Sequence, residues 1–207
     1  TALTLQEAAG CSVTFSRVAA TVDAGVYQVV VEYSEEDVGR MAMKLAAECM
    51  PASMRLERVE WREVPVFDGD VLAHRVPPVV AALRERIHRA DGVLIVTPEY
   101  NLSVPGGLKN VLDWLSRGHD QPWPFKPVAI ASATGGPLGG ARMQYDLRKI
   151  LLYLNAMVLP KPEVFIGVAQ HKFDAVGACT DEATRKFMTD LMAAFEHWIG
   201  ALRKMRS

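Results

Sequence analysis

Between Asp91 and Trp114 the chain sets a carboxylate, a phenol, an amide and a hydroxyl into one short polar stretch: Glu99, Tyr100, Asn101 and Ser103. Val93 to Val96 just before it is a continuous apolar run, and its β-branched residues predict a strand buried on both faces. Pro98 cannot continue a central strand, so the chain turns there. Pro105-Gly106-Gly107 punctuates the loop, and Leu108, Val111, Leu112 and Leu115 then recur at helical spacing. Strand, loop and helix in that order place the loop at the carboxyl end of the strand, where open parallel sheets bind ligands. A second buried run, Pro127 to Ser132, leads into a glycine-rich turn from Thr134 to Gly140 with the same capacity to present backbone N–H groups. Glu99 is open to two readings, a catalytic acid or a solvated loop carboxylate, and the second is the simpler.

Other chemistries find no support in residue spacing. The five histidines, at 74, 88, 119, 171 and 197, show neither HxxxH nor HExxH, so no zinc site is expected. GxSxG and GxxxxGK[ST] are both absent. Cys11, Cys49 and Cys179 are widely spaced without a CxxC, which reads as three reduced thiols in the cytoplasm. A formal net charge of -1 gives no electrostatic case for nucleic acid or an anionic membrane. No apolar run approaches the ~18 residues of a membrane span. No signal peptide is seen, although the chain opens on Thr1 and leaves an upstream segment open.

The elements that must position the two loops are legible in the pattern. Leu3 to Gly10 reads as a short helix, Cys11 to Ala20 as an extended segment, and Tyr27 to Tyr33 as a strand. Ser34-Glu35-Glu36-Asp37 resembles a helix cap, with Val38, Met41, Leu45 and Cys49 following at intervals of three or four. Met54 to Glu60 alternates as a strand does, and Val64 to Asp70 reads as a loop. Pro77 and Pro78 open a helix bearing Val80, Leu83 and Ile87. Gly140 to Asn155 is amphipathic, with Leu147, Ile150, Leu151 and Leu154 on one face. Met157 to Leu159 and Val164 to Gly167 frame the last strand, and Thr180 is expected to cap the final helix, with Asp181 and Glu182 in its first turn. Alternating strands and helices predict an α/β fold, a parallel sheet with helices on both faces.

Thr97-Pro-Glu-Tyr-Asn-x-Ser-x-Pro-Gly-x-Leu-Lys-Asn-x-x-Asp-Trp114 resembles the signature of the NADPH-dependent FMN reductase family. The likeness continues through Ala133-Thr-Gly-Gly-Pro-Leu-Gly-Gly-Ala-Arg-x-Gln144 and Lys161-Pro-Glu-Val164 to Phe173-Asp174. It implies a flavodoxin-like, doubly wound parallel sheet of five strands, with the first strand and helix atypical. It also implies a domain over residues 27–207, with residues 1–26 as an appendage. The implied cofactors are FMN and NADPH (or NADH), and the implied partner is a small electron acceptor such as a quinone, a free flavin or a metal oxyanion. Flavin reduction needs little from side chains, because the cofactors carry the hydride and the protein positions them. By resemblance Pro98, Glu99, Tyr100 and Asn101 form one cofactor-binding loop, and Thr134, Gly135 and Gly136 form the other. The helix from Lys109 to Trp114 is implied to make the contact of a homodimer or homotetramer, with Trp114 at the interface. Lys109 and Asp113 read more simply as an i,i+4 ion pair. Arg142 could meet a nicotinamide phosphate or cap a helix. Trp123 and Phe125 could line the nicotinamide side or close a hydrophobic loop.

The first fifty residues stand apart. Leu5-Gln-Glu-Ala-Ala-Gly10, Gly25-Val-Tyr-Gln-Val-Val-Val-Glu-Tyr33 and Val38-Gly-Arg40 resemble part of the N-terminal region of cyanophycin synthetases. That likeness reaches no ligase catalytic residue and implies no ligase activity. Residues 1 to about 47 then read as a segment of other origin, from a natural fusion or an error of gene prediction. Reductases of the family grip the FMN phosphate with a Gly-Ser-x-Arg-x-x-Ser loop, which this sequence lacks. Ser34-Glu35-Glu36-Asp37 stands in its place, and three carboxylates oppose a phosphate bearing about two negative charges. Weak FMN binding is the expectation, and a remnant or binding module that keeps the fold without the cofactor is the alternative function.

Overall fold

Val93, Leu94, Ile95 and Val96 are all buried, and alternate members point into two separate cores. This is the period-two geometry of a strand covered on both sides, β3 (Gly92–Thr97). The computed structural model describes residues 27–33, 37–59 and 61–206. Among them β3 lies between β1 (Tyr27–Tyr33) and β4 (Pro127–Ala133), and β2 (Met54–Arg58) pairs with the far side of β1. All these pairings are parallel, in the order β2-β1-β3-β4-β5. The segment that resembles another family therefore supplies an interior strand of the sheet, between β2 and β3. Its register is continuous with both neighbours, from Val29 against Gly92 to Tyr33 against Val96 on one side.

The fifth strand is interrupted. β5 (Met157–Val158) pairs with Pro127 and Val128, and β6 (Val164–Ile166) pairs with Ala131 to Ala133 along the same edge of β4. Leu159 extends the ladder by one bond to the Val128 carbonyl at 2.8 Å. Pro160 and Pro162 then have no N–H to donate, so the edge opens until Val164. The five expected positions are present, the last built from two pieces.

One face of the sheet is covered by α1 (Asp37–Glu48) and α6 (Glu182–Arg206), through Ala42, Leu45, Met188, Met192 and Phe195. The other is covered by α3 (Pro78–Arg89), α4 (Gly106–Leu115) and α5 (Ala141–Tyr153). The chain leaves β1 toward one face and β3 toward the other, so their carboxyl ends part, and a ligand crevice belongs at that switch point. The expected loop from Val64 to Asp70 runs into a short helix, α2 (Gly69–His74), capped by the Asp68 carboxylate. The expected helix at Leu3, the extended segment at Cys11 and the cap at Ser34 to Glu36 lie outside the described residues.

The cap of α6 is Asp181 rather than the expected Thr180. The Asp181 carbonyl accepts the first helical bond from Arg185, and its Oδ2 accepts from the Thr184 N–H at 2.8 Å. A carboxylate there also meets the positive end of the helix dipole, which a hydroxyl one residue earlier does not. Hydrogen bonds from Thr184, side chain then backbone, hold the Asp181 carboxyl below its ordinary 3.8. A lowered native pKa means that the stabilisation is complete above the ordinary value and lost as pH falls through the native one. Asp181→Ala should therefore melt below wild type at about pH 7, and in thermal melts the gap should narrow as the pH is taken down through the acid range below the ordinary carboxylate value.

Candidate functional site

Thr97 ends β3, and the next residues fold into a tight reversal. The Tyr100 N–H donates to the Ser103 carbonyl at 3.1 Å, and the Ser103 N–H donates back to Tyr100 at 2.9 Å. Asn101 (φ 48°) and Leu102 (φ 68°) are both left-handed, as a primed two-residue turn demands. Asparagine adopts that conformation readily and leucine does not, so the loop's surroundings must impose it. One restraint is visible. The Ser103 hydroxyl donates to Asp146 on α5 at 3.1 Å, and Lys149 and then Ser103 hold the Asp146 carboxyl below its ordinary value.

Glu99 is not the solvated carboxylate of the simpler reading. Its side chain is only 8% exposed, so it is not solvated, and both oxygens are engaged. Oε1 accepts from Arg142 Nε at 3.0 Å and Nη2 at 2.6 Å, and Oε2 accepts from the Met143 N–H at 3.1 Å. Met143 stands in the first turn of α5, whose N-cap is Gly140 and offers no side chain. Glu99 thus caps a helix that belongs to the other loop. Arg142 neither caps that helix itself nor stands unengaged; its guanidinium is held by Glu99.

The second loop follows β4. Beneath it the Ser132 hydroxyl donates to the Gly139 carbonyl at 2.6 Å, and Gln144 Nε2 donates to Ser132 Oγ and the Val164 carbonyl, both at 2.9 Å. Gly135 and Gly136 are exposed at its tip, and their N–H groups make no hydrogen bond to another described residue. Thr134 is half-buried and anchors the loop to a third segment that sequence reasoning missed. Its N–H donates to Ile166 at 3.0 Å, and the Val168 and Ala169 N–H groups donate to Gly136 and Thr134 at 3.0 and 3.1 Å. Gln170 Oε1 lies 3.6 Å from where a Cβ on Gly135 would sit. The available signal was the run Val164 to Ile166 ending in glycine, the same pattern that marked the second loop.

Pro98, Glu99, Tyr100 and Asn101 therefore stand at the same edge of the sheet as Thr134, Gly135 and Gly136, each group leaving the carboxyl end of its strand. Trp123 and Phe125 do not join them. They precede β4 and lie at its amino end, about 20 Å away along a seven-residue strand. Trp123 is buried and Phe125 half-exposed. Lys109 and Asp113 form the expected ion pair, at 2.7 Å. Trp114 corrects the interface reading: it is fully buried, stacked edge-on against Phe67 and bonded through Nε1 to the Pro65 carbonyl. No cluster of three or more metal-ligating side chains occurs among the described residues, and none of their helices is long and apolar enough to cross a membrane.

Residues 33–171 match the family model for NADPH-dependent FMN reductase, and residues 1–55 match that for the cyanophycin synthase-like N-terminal domain. The chain is 48% identical over 165 residues to a quinone reductase of Escherichia coli (strain K12), covering 78% of this chain and 86% of that one. It is 41% identical over 162 residues to an NAD(P)H-dependent FMN reductase of Pseudomonas aeruginosa, covering 78% and 88%. Among solved structures it resembles FerB, a flavoenzyme NAD(P)H:(acceptor) oxidoreductase from Paracoccus denitrificans. There the TM-score is 0.76 at 31% identity, over 85% of this chain and 98% of that one.

Proposed function

Because the chain belongs to the NADPH-dependent FMN reductase family, we propose that it is an NAD(P)H-dependent flavin oxidoreductase that delivers reducing equivalents to a quinone or a similar small acceptor. The supporting observation is the pair of loops at adjacent strand ends, one with two exposed glycines and both held rigidly from below. When bound, FMN supplies the ring that takes hydride from the nicotinamide and passes reducing equivalents on. Gly135 and Gly136 suit the polar edge of that ring, because no Cβ blocks approach to their N–H groups. The 98–101 loop would bear on the ring from the β3 side, with the Pro98 to Asn101 backbone held by the reversal at Asn101 and Leu102. Binding and orientation are the work left to these residues, and no proton-transfer group is required of them.

Phosphate recognition is the less conventional part. β1 ends at Tyr33 and α1 begins at Asp37, so three residues, Ser34-Glu35-Glu36, join them where the family carries its phosphate loop. That sequence opposes an anion, and the chain is expected to bind FMN no more tightly than riboflavin. Titrating both into the purified protein, read by flavin fluorescence, tests the function and this preference together. Micromolar binding, on the order of -8 kcal/mol, supports the reductase. A folded protein that takes up neither flavin at about 100 µM sinks the reading and favours a fold that has outlived its cofactor.

The same reading assigns residues 27–207 to the reductase unit, with residues 1–26 as an appendage, and places the protein in the cytoplasm. It also holds that the protein is a homodimer or homotetramer, through the exposed part of α4 around Lys109 and Asp113 rather than through Trp114.

A further inference from the structure

We infer that Glu99 is a positioning residue that locks the two flavin loops to each other; this rests on the proposed reductase function. Gly140 is left-handed at φ 87°, and a Cβ there would stand 2.8 Å from the Ser132 Cβ. That site therefore admits no capping side chain, and the first turn of α5 must be satisfied from elsewhere. Glu99 supplies the missing acceptor from 44 residues earlier in the chain, at 3.1 Å from the Met143 nitrogen. Its second oxygen takes two bonds from Arg142, a charge-assisted pairing that fixes the carboxylate in orientation as well as distance.

The consequence is geometric. The residue before Tyr100 and Asn101 is tied to the helix that begins where the Thr134 to Gly140 loop ends. The Ser103 to Asp146 bond makes a second tie between the same loop and the same helix. The 98–101 backbone therefore cannot shift without moving α5 or breaking a desolvated carboxylate from its donors. A ring gripped by both loops needs its two edges held at fixed separation, and errors near 1 Å cost about 100-fold in reactions that depend on alignment. With both oxygens committed, Glu99 is spoken for structurally and is not the acid that its place in the loop invites.

The test uses the full chain with riboflavin as probe, comparing wild type with Glu99→Ala, Glu99→Gln and Arg142→Met. Glu99→Ala should raise the riboflavin dissociation constant about 10- to 100-fold and alter the visible absorption band of the bound flavin. It should also lower kcat at saturating flavin and quinone, beyond any change in KM. Glu99→Gln keeps an oxygen for the Met143 N–H and should restore most of the affinity. Arg142→Met keeps the cap and loses the orienting pair, with an intermediate loss, and these two variants carry the test if Glu99→Ala fails to fold. Wild-type dissociation constant, absorption band and kcat in all three variants, even with lowered melting temperatures, would overturn the inference alone. A wild type that holds no flavin overturns the functional reading and this inference with it.

Discussion

Gly139→Ala is expected to destabilise the protein by about 3 kcal/mol and to abolish flavin uptake. Gly139 is left-handed at φ 60°, which alone costs a residue with a Cβ about 1–2 kcal/mol. The added carbon would also lie 2.7 Å from the Gly167 nitrogen and from the Phe165 carbonyl carbon, and 2.9 Å from that of Ile166. These are backbone atoms of the fifth strand and its exit, so no side chain can swing away to make room. The 134–140 loop must lift off the third segment, breaking the bonds from Val168 and Ala169 that hold Gly136 and Thr134. Gly135→Ala is the control. Its Cβ would meet only Gln170 Oε1, at an ordinary 3.6 Å, and stability should change by less than about 0.5 kcal/mol. Urea unfolding of the three proteins decides the matter, and equal midpoints for Gly139→Ala and wild type would show that the loop packs differently.

Trp114→Ala is expected to cost about 3–5 kcal/mol, the range for deleting a buried aromatic. The indole is fully buried, its ring centroid 4.9 Å from that of Phe67 at an interplanar angle of 71°. Truncation would leave a cavity between α4 and the segment from Pro65 to Phe67. The milder Trp114→Phe separates packing from hydrogen bonding. The Pro65 carbonyl loses the indole N–H, but Asn110 Nδ2 still donates to it at 2.9 Å, so no orphaned acceptor remains. That variant should cost about 1 kcal/mol. Denaturation measured across a range of protein concentrations adds a second readout. If Trp114 stabilised by bridging subunits, the penalty would shrink as dilution separates them; intramolecular burial predicts one that does not change.

Much of this architecture was written in local pattern. The apolar run at Val93, the alternation at Met54, the helical repeats at Val80 and Leu147, and the proline and glycine stops between them report period and turn chemistry. These properties belong to neighbouring residues, and for such elements propensity and burial agree. The two loops were legible for the same reason, since a buried strand that stops at Pro98 or runs into glycines at 135 and 136 must place its next residues at the carboxyl edge. The cap of α6 missed by one residue because Thr180 and Asp181 are both good caps, and only the seat of the first helical hydrogen bond chooses between them.

What the sequence could not reveal were the partners. Glu99 reads as a solvated loop acid until the fold brings Arg142 and Met143 to it from 43 and 44 residues away. Trp114 reads as an interface residue until the 65–67 segment closes over it. The third loop has no distinctive side chains, and its role comes from backbone bonds to Thr134 and Gly136 that no local pattern encodes. The sequence by itself determined the elements, the edge of the sheet where a ligand belongs, and the family. Tertiary structure alone decided which charged and aromatic groups hold that edge rigid, because burial and pairing depend on contacts across the chain.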